Sequence, residues 1–398
     1  MKKIVVFIIL VLFLFSCDKK ETKPYLIILS MDGCRWDYPD MYAMPTLDSI
    51  ASVGVKSVIK PSFPTKTFPN HYTMATGLYP GNSGIVGNTF YNPEIDNIYK
   101  VSDRSTVEDP RFYEGEPFWC TAEKQGVMSA SYFWVGSETK IQGIQPSIWK
   151  TYTSESTPEM LVDSVISWLK RPEELRPHLI SFYFYQPDRV GHHFGPESIE
   201  TKKVMQNLDS VLNVLCHQLN ELDISKEINL IITSDHGMGA IDSDRVIYLS
   251  EVFSDDEVEY CLGSNPFYLI EPKAENGEEL FQRLSAIEGI TVWAKDEVPD
   301  RLHYTNSSSI ASLVLVADSS WSVFWEKPQF LGSGTHGYDN CNSDMNAIFY
   351  GYGPAFKVGY EHPTFPNVDL YPLMMEIMEL EPANTDGDVE RVRGLLID

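Results

Sequence analysis

Three long apolar runs in this chain each end in acidic residues, and no other feature constrains the fold as strongly. The runs cover residues 25–30, 179–185 and 229–233. Continuous apolar strands are typical of parallel sheets whose two faces are both covered by helices. Helical periodicity at 158–169 and at 199–222 supplies such helices. The pattern therefore predicts an α/β fold with a central, mostly parallel sheet and helices on both faces.

The stretch 248–330 differs from the rest of the chain. It is rich in acidic residues, carries its own strand candidate at 312–317, and contains none of the motifs described below. We interpret it as an inserted cap subdomain. A further short apolar run at 347–350 predicts another core strand after the insertion. The core is thus predicted to consist of residues 25–247 and 331–398.

The N-terminus reads MKKIVVFIILVLFLFSC, with two lysines before twelve apolar residues. A helix needs about 20 apolar residues to cross a bilayer, so this stretch is too short and instead predicts a secretory signal peptide at 1–16. Residues 14–17 resemble a bacterial lipobox, in which the cysteine is lipidated. The expectation is a lipidated Cys17, a polar tether over 17–24, and a lipid anchor in the bacterial cell envelope, periplasmic or surface-facing. A soluble signal peptide cleaved nearby is the alternative.

The charge and the cysteine content of the chain argue against two classes of protein, those that bind duplex nucleic acid and those built on a disulfide framework. The chain has 31 Lys+Arg against 56 Asp+Glu and a formal net charge of −25, which disfavours duplex nucleic acid as a partner. Small phosphate compounds stay compatible, because a bound metal reverses the local sign of the potential. The remaining cysteines are odd in number and irregularly spaced, so they predict no disulfide framework. They are Cys34, Cys120, Cys216, Cys261 and Cys341.

Aspartates and histidines lie directly after the predicted strands. Asp188 and His192 are separated by three residues, so one turn or a short helix could aim both at the same ion. Adjacent Asp235 and His236 point in different directions after a strand, so they could serve two ions about 4 Å apart. Each pair alone is weak, because an Asp-x3-His spacing is common in surface turns and an Asp-His pair can cap a helix.

Two further residues strengthen the metal interpretation. His336 lies in the glycine-rich segment GTHGYDN and would complete an Asp/His/His set, and Asp32 follows the first strand and would join the second set. Mixed aspartate and histidine ligation suits Zn²⁺ and leaves open positions for substrate and water. The conjunction of all these residues at strand ends favours a metal site.

The candidate nucleophile lies in the segment PTKTFPNHY at 64–72. Pro69 is favourable early in a helix, which places Thr67 near the helix start. Amides at a helix N-terminus favour phosphate and phosphoryl groups. A threonine hydroxyl needs a metal to become an effective nucleophile at neutral pH, and without one Thr67 would be interpreted as an ordinary N-cap.

These residues lie in motifs that resemble the nucleotide pyrophosphatase/phosphodiesterase family of the alkaline phosphatase superfamily. The motifs run in family order over 25–340 and cover most of the mature chain: ILSMDGCRWD, FPTKTFPNHYTMATGLYPGNSGIVGN, EPFW, YFWVGSE, RPHLISFYFYQPDRVGHHFGP, NLIITSDHGM and GTHGYDN. The resemblance implies an alkaline-phosphatase-like fold and two Zn²⁺ ions. The implied ligands are Asp188, His192 and His336 for one zinc, and Asp32, Asp235 and His236 for the other, with Thr67 bridging or touching it.

The resemblance also implies how a substrate is held. Asn88 occupies the family position whose amide binds a phosphoryl oxygen, and the backbone amide of Phe68 would be a second donor. Relatives that act on nucleotides stack the base between aromatic rings, for which Phe68 and Tyr152 are the matching residues. The stretch 136–152 occurs in nucleotide-handling relatives, and choline-phosphodiester relatives carry a similar one. The usual Glu-Glu-Pro-Asp is Tyr-Gln-Pro-Asp at 185–188, which retains the ligand but alters contacts at the substrate edge.

The leading hypothesis is a zinc-dependent hydrolase that cuts nucleotide phosphodiester or pyrophosphate bonds and releases nucleoside 5′-monophosphates through a phosphothreonine at Thr67. A choline or glycerol phosphodiesterase on the same scaffold is the second hypothesis. A phosphomonoesterase is the third, although no basic motif matches the additional phosphate charge. The fourth is a non-catalytic surface lipoprotein that binds a partner through its cap. Small phosphodiesters and the membrane, through the lipid anchor, are the expected partners.

Overall fold

The computed structural model describes residues 23–397. The predicted signal peptide and Cys17 lie outside the described residues. Within the described range, no helix has the length and apolar character needed to span a membrane. The five cysteines of this range are all free thiols.

Helices and strands alternate along most of the described chain. The strands are β1 (Tyr25–Met31), β2 (Val55–Lys60), β3 (Thr89–Asn92), β4 (Asn97–Lys100), β5 (Ser129–Tyr132), β6 (Ile148–Lys150), β7 (Leu179–Phe184), β8 (Ile228–Thr233), β9 (Gly239–Ala240), β10 (Val246–Tyr248), β11 (Val258–Ser264), β12 (Phe267–Pro272), β13 (Ile290–Ala294), β14 (Leu313–Ala317), β15 (Ser322–Phe324), β16 (Gly334–Thr335), β17 (Ala347–Tyr352), β18 (Tyr360–Glu361) and β19 (Phe365–Pro366). The α-helices are α1 (Tyr38–Tyr42), α2 (Pro45–Val53), α3 (Thr67–Thr76), α4 (Pro80–Ser83), α5 (Arg104–Val107), α6 (Phe118–Lys124), α7 (Pro158–Leu169), α8 (Asp188–Phe194), α9 (Ile199–Asn220), α10 (Gly277–Ser285) and α11 (Leu370–Ile377).

Nine strands form the central sheet in the order β18-β2-β17-β8-β1-β7-β5-β6, with β19 also paired to β2. β1 lies between β7 and β8 and is parallel to both. β5 and β6 extend the parallel part. β17 is antiparallel to both β8 and β2. The α/β fold with a central, mostly parallel sheet is therefore confirmed.

Both faces of this sheet are buried, as the continuous apolar runs predicted. All seven residues of β1 are buried. Leu26 and Ile28 pack into a cluster that includes residues of α3 and α11, and Ile27 and Leu29 pack into a second cluster with α7 and α9. Burial of such a side chain contributes roughly 1.5–3 kcal/mol, which is why every position of this strand is apolar or small.

The register of the central strands brings their carboxyl ends to one edge. Met31 is paired with Phe184, and Ser30 is paired with Thr233. The segments that follow these strands therefore start side by side. In parallel α/β sheets this edge is where ligand sites form.

A second, smaller sheet lies within the stretch that was predicted to form a cap. Its four antiparallel strands have the order β11-β12-β14-β13, and it has an apolar cluster of its own that includes Leu280 and Leu284 of α10. Phe267 of β12 also packs edge-on against Phe63 of the main core, with ring centroids 5.5 Å apart. The exact boundaries of the cap, 248 and 330, stay a prediction.

Candidate active site

Three aspartates follow the three central strands. Asp32 directly follows β1, Asp235 lies two residues beyond β8, and Asp188 begins α8. The backbone N–H of Asp188 donates to the Asp32 carbonyl, and that of Asp32 donates to Phe184, both at 2.9 Å. Gly33 has a φ of +68°, and a Cβ there would lie 2.9 Å from the Asp188 Cα. Glycine therefore permits the close approach of the two acidic turns.

The three candidate histidine ligands are oriented in the same way. Each ring donates a hydrogen bond from Nδ1 to a backbone carbonyl, which leaves the Nε2 of the neutral ring unprotonated and available to a metal. The pairs are His192 with Gly334 at 2.9 Å, His236 with Gly237 at 2.8 Å, and His336 with Thr65 at 2.8 Å.

The unprotonated Nε2 atoms face carboxylate oxygens. The distances are 3.2 Å from His192 and 3.5 Å from His336 to Asp188 Oδ1, and from His236 they are 3.4 Å to Asp32 Oδ1 and 3.1 Å to Asp235 Oδ2. These three buried oxygens accept no hydrogen bond within the described residues. Lone pairs that face each other repel, whereas a divalent cation between them would attract both. The donor set therefore fits a divalent cation, and imidazole with carboxylate is a combination that zinc accepts.

The ligand atoms form two groups, each with its atoms within 4.8 Å of one another. We call them the first ligand group, which is Asp188, His192 and His336, and the second ligand group, which is Asp32, Asp188 and His236. Asp188 lies between the two, and Asp235 lies beside the second group through its contact with His236. The structure thus brings all six predicted ligand side chains together, and their roles as ligands stay a prediction.

The buried carboxylates of the site repel one another. Burial raises the pKa of Asp32 well above its usual range, and the carboxylates of Asp235 and Asp188 raise it further, while a hydrogen bond from Tyr183 opposes them. Burial lowers the pKa of His336 well below its usual range, so this imidazole is neutral, which is the form that binds metals. A cation in the cluster would relieve the repulsion between the carboxylates.

Helix α3 begins at Thr67, and its N-cap is Lys66 rather than the threonine itself. The Thr67 hydroxyl lies 3.2 Å from the Nε2 of His236, beside the second ligand group. Pro69 lies in the first helical turn, where its missing N–H leaves no intrahelical bond unmade. The hydroxyl of Thr67 is therefore placed at the helix N-terminus and at the metal cluster together.

The Asn88 side chain forms a hydrogen bond with the backbone of Phe68, the residue after Thr67. The Phe68 backbone N–H donates to Asn88 Oδ1 at 3.1 Å. This bond orients the Asn88 side chain and leaves its NH₂ group without a partner in the described structure. The Phe68 ring packs edge-on against Tyr99, with centroids 6.3 Å apart.

Tyr152 lies at the edge of the site and is 42% exposed. Its ring packs 5.0 Å from Phe133 and 6.3 Å from Tyr183. Its backbone N–H donates to Glu138 Oε1 at 2.8 Å, and Arg104 donates to both oxygens of the same carboxylate at 2.8 and 3.0 Å. These bonds hold the segment that carries the tyrosine ring.

Two residues of the site were not among the sequence candidates. His71 is buried, with Nδ1 3.0 Å from the Thr67 carbonyl and 3.3 Å from Asp235 Oδ2. Its position four residues after Thr67, one helical turn, was a signal that could have found it. Tyr183 donates its hydroxyl to Asp32 Oδ2. No sequence signal distinguishes this tyrosine from the other aromatic residues of the same run.

The fold and the site together define a class. A parallel α/β sheet with an aspartate and histidine cluster at its carboxyl edge, beside a hydroxyl at a helix N-terminus, is the arrangement of the metal-dependent hydrolases of the alkaline phosphatase superfamily. Within that class, the family model described as type I phosphodiesterase / nucleotide pyrophosphatase matches residues 26–339. The chain belongs to this family, which confirms the resemblance inferred from its motifs.

Comparison with individual proteins leads to the same family. The chain is 36% identical over 388 residues to human ectonucleotide pyrophosphatase/phosphodiesterase family member 1, covering 94% of this chain and 42% of that protein. It is 35% identical to the venom phosphodiesterase CdcPDE of Crotalus durissus collilineatus, covering 94% of this chain and 46% of that protein. The chain therefore spans less than half the length of these curated relatives.

A solved structure shows the same fold over nearly the whole chain. Murine ectonucleotide pyrophosphatase/phosphodiesterase 5, in an inactive variant with a threonine replaced by alanine and in complex with AMP, superposes with a TM-score of 0.90 at 31% identity. The match covers 94% of this chain and all of that one.

Proposed function

We propose that this chain is a zinc-dependent phosphodiesterase and pyrophosphatase that releases nucleoside 5′-monophosphates from nucleotide substrates through a phosphothreonine at Thr67. The observation that carries the proposal is the set of three buried carboxylate oxygens, unpartnered in the described structure, that face the imidazole Nε2 atoms beside the Thr67 hydroxyl. Family membership supports the reaction type.

Two Zn²⁺ ions would be held by the six ligands that the sequence motifs predict. Asp188, His192 and His336 would hold one ion, and Asp32, Asp235 and His236 the other, with the Thr67 hydroxyl touching the second. When bound, the ions lower the pKa of a coordinated hydroxyl and neutralise phosphoryl oxygens.

The protein's own residues position the reaction. The Thr67 oxygen attacks phosphorus in line, its proton passes to solvent, and the bond from phosphorus to the leaving oxygen breaks with its electron pair on that oxygen. Water then attacks phosphorus and frees Thr67. The Asn88 NH₂ group would donate to a phosphoryl oxygen, where charge develops. In the related murine protein, a threonine-to-alanine variant is inactive, as a threonine nucleophile requires.

Phe68 and Tyr152 would hold the nucleoside that stays attached to phosphorus. Both rings are partly exposed and each is supported from behind by other aromatic rings. Base stacking on an aromatic ring is worth about 1–3 kcal/mol and tolerates different bases. The AMP bound to the murine relative is consistent with a nucleotide in such a site.

A comparison of two nitrophenyl substrates tests this function. We expect the purified zinc-supplemented protein to prefer the nitrophenyl diester of thymidine 5′-monophosphate over nitrophenyl phosphate by about 100-fold or more in kcat/KM, which corresponds to roughly 2.7 kcal/mol. A preference for the monoester would make the protein a phosphatase and contradict the proposal. Turnover of a choline diester but not of the nucleotide diester would favour the choline phosphodiesterase instead.

We also propose that the protein is anchored to the bacterial cell envelope through a lipid on Cys17. The support is the N-terminal sequence, which combines a short apolar stretch with a lipobox-like end. A Cys17→Ala variant should move the protein from the membrane fraction to the soluble fraction. Retention of the variant in the membrane fraction would contradict the lipid anchor.

A further inference from the structure

The described chain begins at the edge of the central sheet that lies opposite the candidate active site. Strand β1 starts at Tyr25, and Asp32 follows its last residue, so one strand length separates the start of β1 from the ligand cluster. The seven residues of β1 span about 20 Å, at roughly 3.3 Å per residue. We call the edge at which β1, β7 and β8 start the amino edge.

Side chains fix the first described residues to the amino edge. The His178 ring donates from Nδ1 to the Lys23 carbonyl at 2.8 Å, and the Lys23 amino group donates to the Glu379 carbonyl at 2.7 Å. Tyr25 stacks on His178 with ring centroids 4.1 Å apart. Because β1 lies between β8 and β7 inside the sheet, Lys23 lies near the middle of this edge rather than at a corner.

The tether to the predicted lipid is short. Six peptide units separate Lys23 from Cys17, the predicted site of lipid attachment. A polypeptide of this length spans at most about 22 Å, even when it is fully extended. To bring the ligand cluster onto the bilayer, the tether would have to run back along the whole length of β1, which would use up its reach. The tether therefore keeps the amino edge close to the bilayer and the opposite edge away from it.

Three large apolar side chains are exposed at the amino edge. Leu175 precedes β7 by four residues and is 56% exposed, and Val358 lies between β17 and β18 and is 74% exposed. Since β17 is antiparallel to β8, its last residues lie where β8 starts. Ile397 is 58% exposed, and its N–H donates to the Ala355 carbonyl in the same region at 3.0 Å. We call the surface of this edge that carries these three residues the amino-edge face.

The charge of the amino-edge face differs from that of the whole molecule. The segments KRPEELR at 170–176, DISKE at 223–227 and AFKVG at 355–359 together carry five basic and four acidic residues, whereas the chain has a net charge of −25. Phospholipid headgroups with negative charge repel an acidic surface, but they do not repel a surface close to neutrality. Apolar side chains beside basic ones suit the headgroup region of a bilayer.

We propose that the amino-edge face lies on the phospholipid bilayer to which the chain is tethered, and that the candidate active site opens away from the bilayer into the aqueous phase. The inference rests on the proposed lipid anchor at Cys17, which it deepens. It also restricts the substrates. Phosphodiesters dissolved in water reach the ligand cluster, whereas the headgroups of the same bilayer do not.

Photo-cross-linking tests which edge contacts lipid. The photoreactive residue p-benzoylphenylalanine replaces Leu175, Val358 or Phe330, one at a time, in the full-length lipidated protein bound to vesicles of phosphatidylethanolamine and phosphatidylglycerol. Phe330 is the matched control, because it is 60% exposed and its ring stacks on His193 of α8, at the active-site edge. After illumination, mass spectrometry should find phospholipid attached at positions 175 and 358 with a yield about tenfold or more above that at position 330, which lies a strand length further from the bilayer.

Turnover provides a readout that needs no substitution in the folded part of the chain. The parent bound to vesicles and the Cys17→Ala protein in solution should cleave the nitrophenyl diester of thymidine 5′-monophosphate with kcat/KM values within about twofold of each other, counted per outward-facing molecule, because the site stays open to water. A loss of about fivefold or more in the vesicle-bound parent would show that the bilayer covers the site, and would overturn the proposal.

The outcomes separate the orientation from the anchor and from the reaction. If the parent is found in the membrane fraction but lipid attaches at position 330 as strongly as at positions 175 and 358, the orientation is wrong and the anchor stands. If the parent is found in the soluble fraction, the anchor fails and the orientation fails with it. Cross-linking does not depend on which phosphodiester is cleaved, so it decides the orientation even if the proposed nucleotide activity fails.

Discussion

At the scale of single residues, the site depends on how its histidines are oriented. Each candidate imidazole gives its Nδ1 proton to a backbone carbonyl, so the fold itself directs the Nε2 lone pair into the cluster. Three carboxylate oxygens that face these Nε2 atoms, those of Asp32, Asp188 and Asp235, accept no hydrogen bond from residues 23–397. Without a cation, this set of side chains would lower the stability of the folded protein, because the buried charges repel one another.

The hydroxyl of Thr67 should be indispensable for turnover. We expect Thr67→Ala to lower kcat on the nucleotide diester by about 1,000-fold or more, because the attacking atom is lost. Thr67→Ser keeps the hydroxyl and should retain measurable activity. Zinc content and thermal stability of both variants should match the parent. An alanine variant with turnover near that of the parent would exclude the covalent mechanism.

The ring of His336 should hold one of the two zinc ions. We expect His336→Ala to reduce zinc below two ions per chain after dialysis, as measured by elemental analysis, because the first ligand group loses one of three protein ligands. The control is His217→Ala on helix α9, whose side chain is 71% exposed. Two zinc ions per chain in the His336 variant would contradict its assignment.

Five of the six candidate ligands could be located from the sequence because they follow the apolar strands β1, β7 and β8, whose parallel carboxyl ends meet at a common edge. His336 instead follows the short antiparallel strand β16, and only its glycine-rich segment singled it out. The same logic does not find Glu138 or Tyr183. Glu138 acts through a bond to the Tyr152 backbone, 14 residues away in sequence, and Tyr183 reaches Asp32 from a neighbouring strand. Such partners depend on strand register and loop path, which local pattern does not determine.

At the scale of elements, the turn after β1 and the start of α8 form one unit. Gly33 allows their backbones to approach within contact distance, and the Asp32 carbonyl accepts from the Asp188 N–H. The direction of individual strands could not be predicted from the sequence. An apolar run such as 347–350 predicts a buried strand, but it carries no information on whether that strand runs parallel or antiparallel, and β17 is antiparallel.

Replacement of Gly33 tests this unit. Gly33→Ala should destabilise the protein by about 1–3 kcal/mol, because alanine is strained at positive φ and its Cβ would meet the Asp188 backbone. Zinc affinity should fall as well, since Asp188 is displaced. Gly126→Ala is the matched control, because Gly126 has a φ of +78° with nothing within 4 Å of the added Cβ. Equal zinc affinities in the two variants, measured by competition with a chelator, would show that the contact does not position Asp188.

At the scale of the whole molecule, charge links folding to metal binding. Burial raises the pKa of Asp32, with neighbouring carboxylates adding to the shift. For His192, burial lowers the pKa, but the interactions with Asp188 and with the Gly334 carbonyl together more than offset this, and the net pKa is raised. Groups whose pKa is raised on folding stabilise the metal-free fold when protonated, and this contribution is lost as the pH rises through the raised pKa. Zinc competes with these protons, so its effect has the opposite pH dependence.

The stabilisation by zinc should therefore grow with pH. We expect saturating zinc to raise Tm by about 5 °C or more at pH 8 over the chelator-treated protein, as expected for a ligand far above its Kd. At pH 5 the increase should be smaller, because protons occupy His192 and Asp32. Differential scanning fluorimetry from pH 5 to pH 8 measures this difference. An increment that shrinks as the pH rises would contradict the assigned ligands.

The most direct test of the central claim is to trap the covalent intermediate. The zinc-loaded protein is mixed with the nitrophenyl diester of thymidine 5′-monophosphate, quenched in acid within the first turnover, digested and analysed by mass spectrometry. We predict one thymidylyl group on the peptide that contains Thr67 in the parent protein, and none on the same peptide of the Thr67→Ala protein. Full turnover of the diester with the Thr67 peptide unmodified at every quench time, or with the label on another residue, would contradict it.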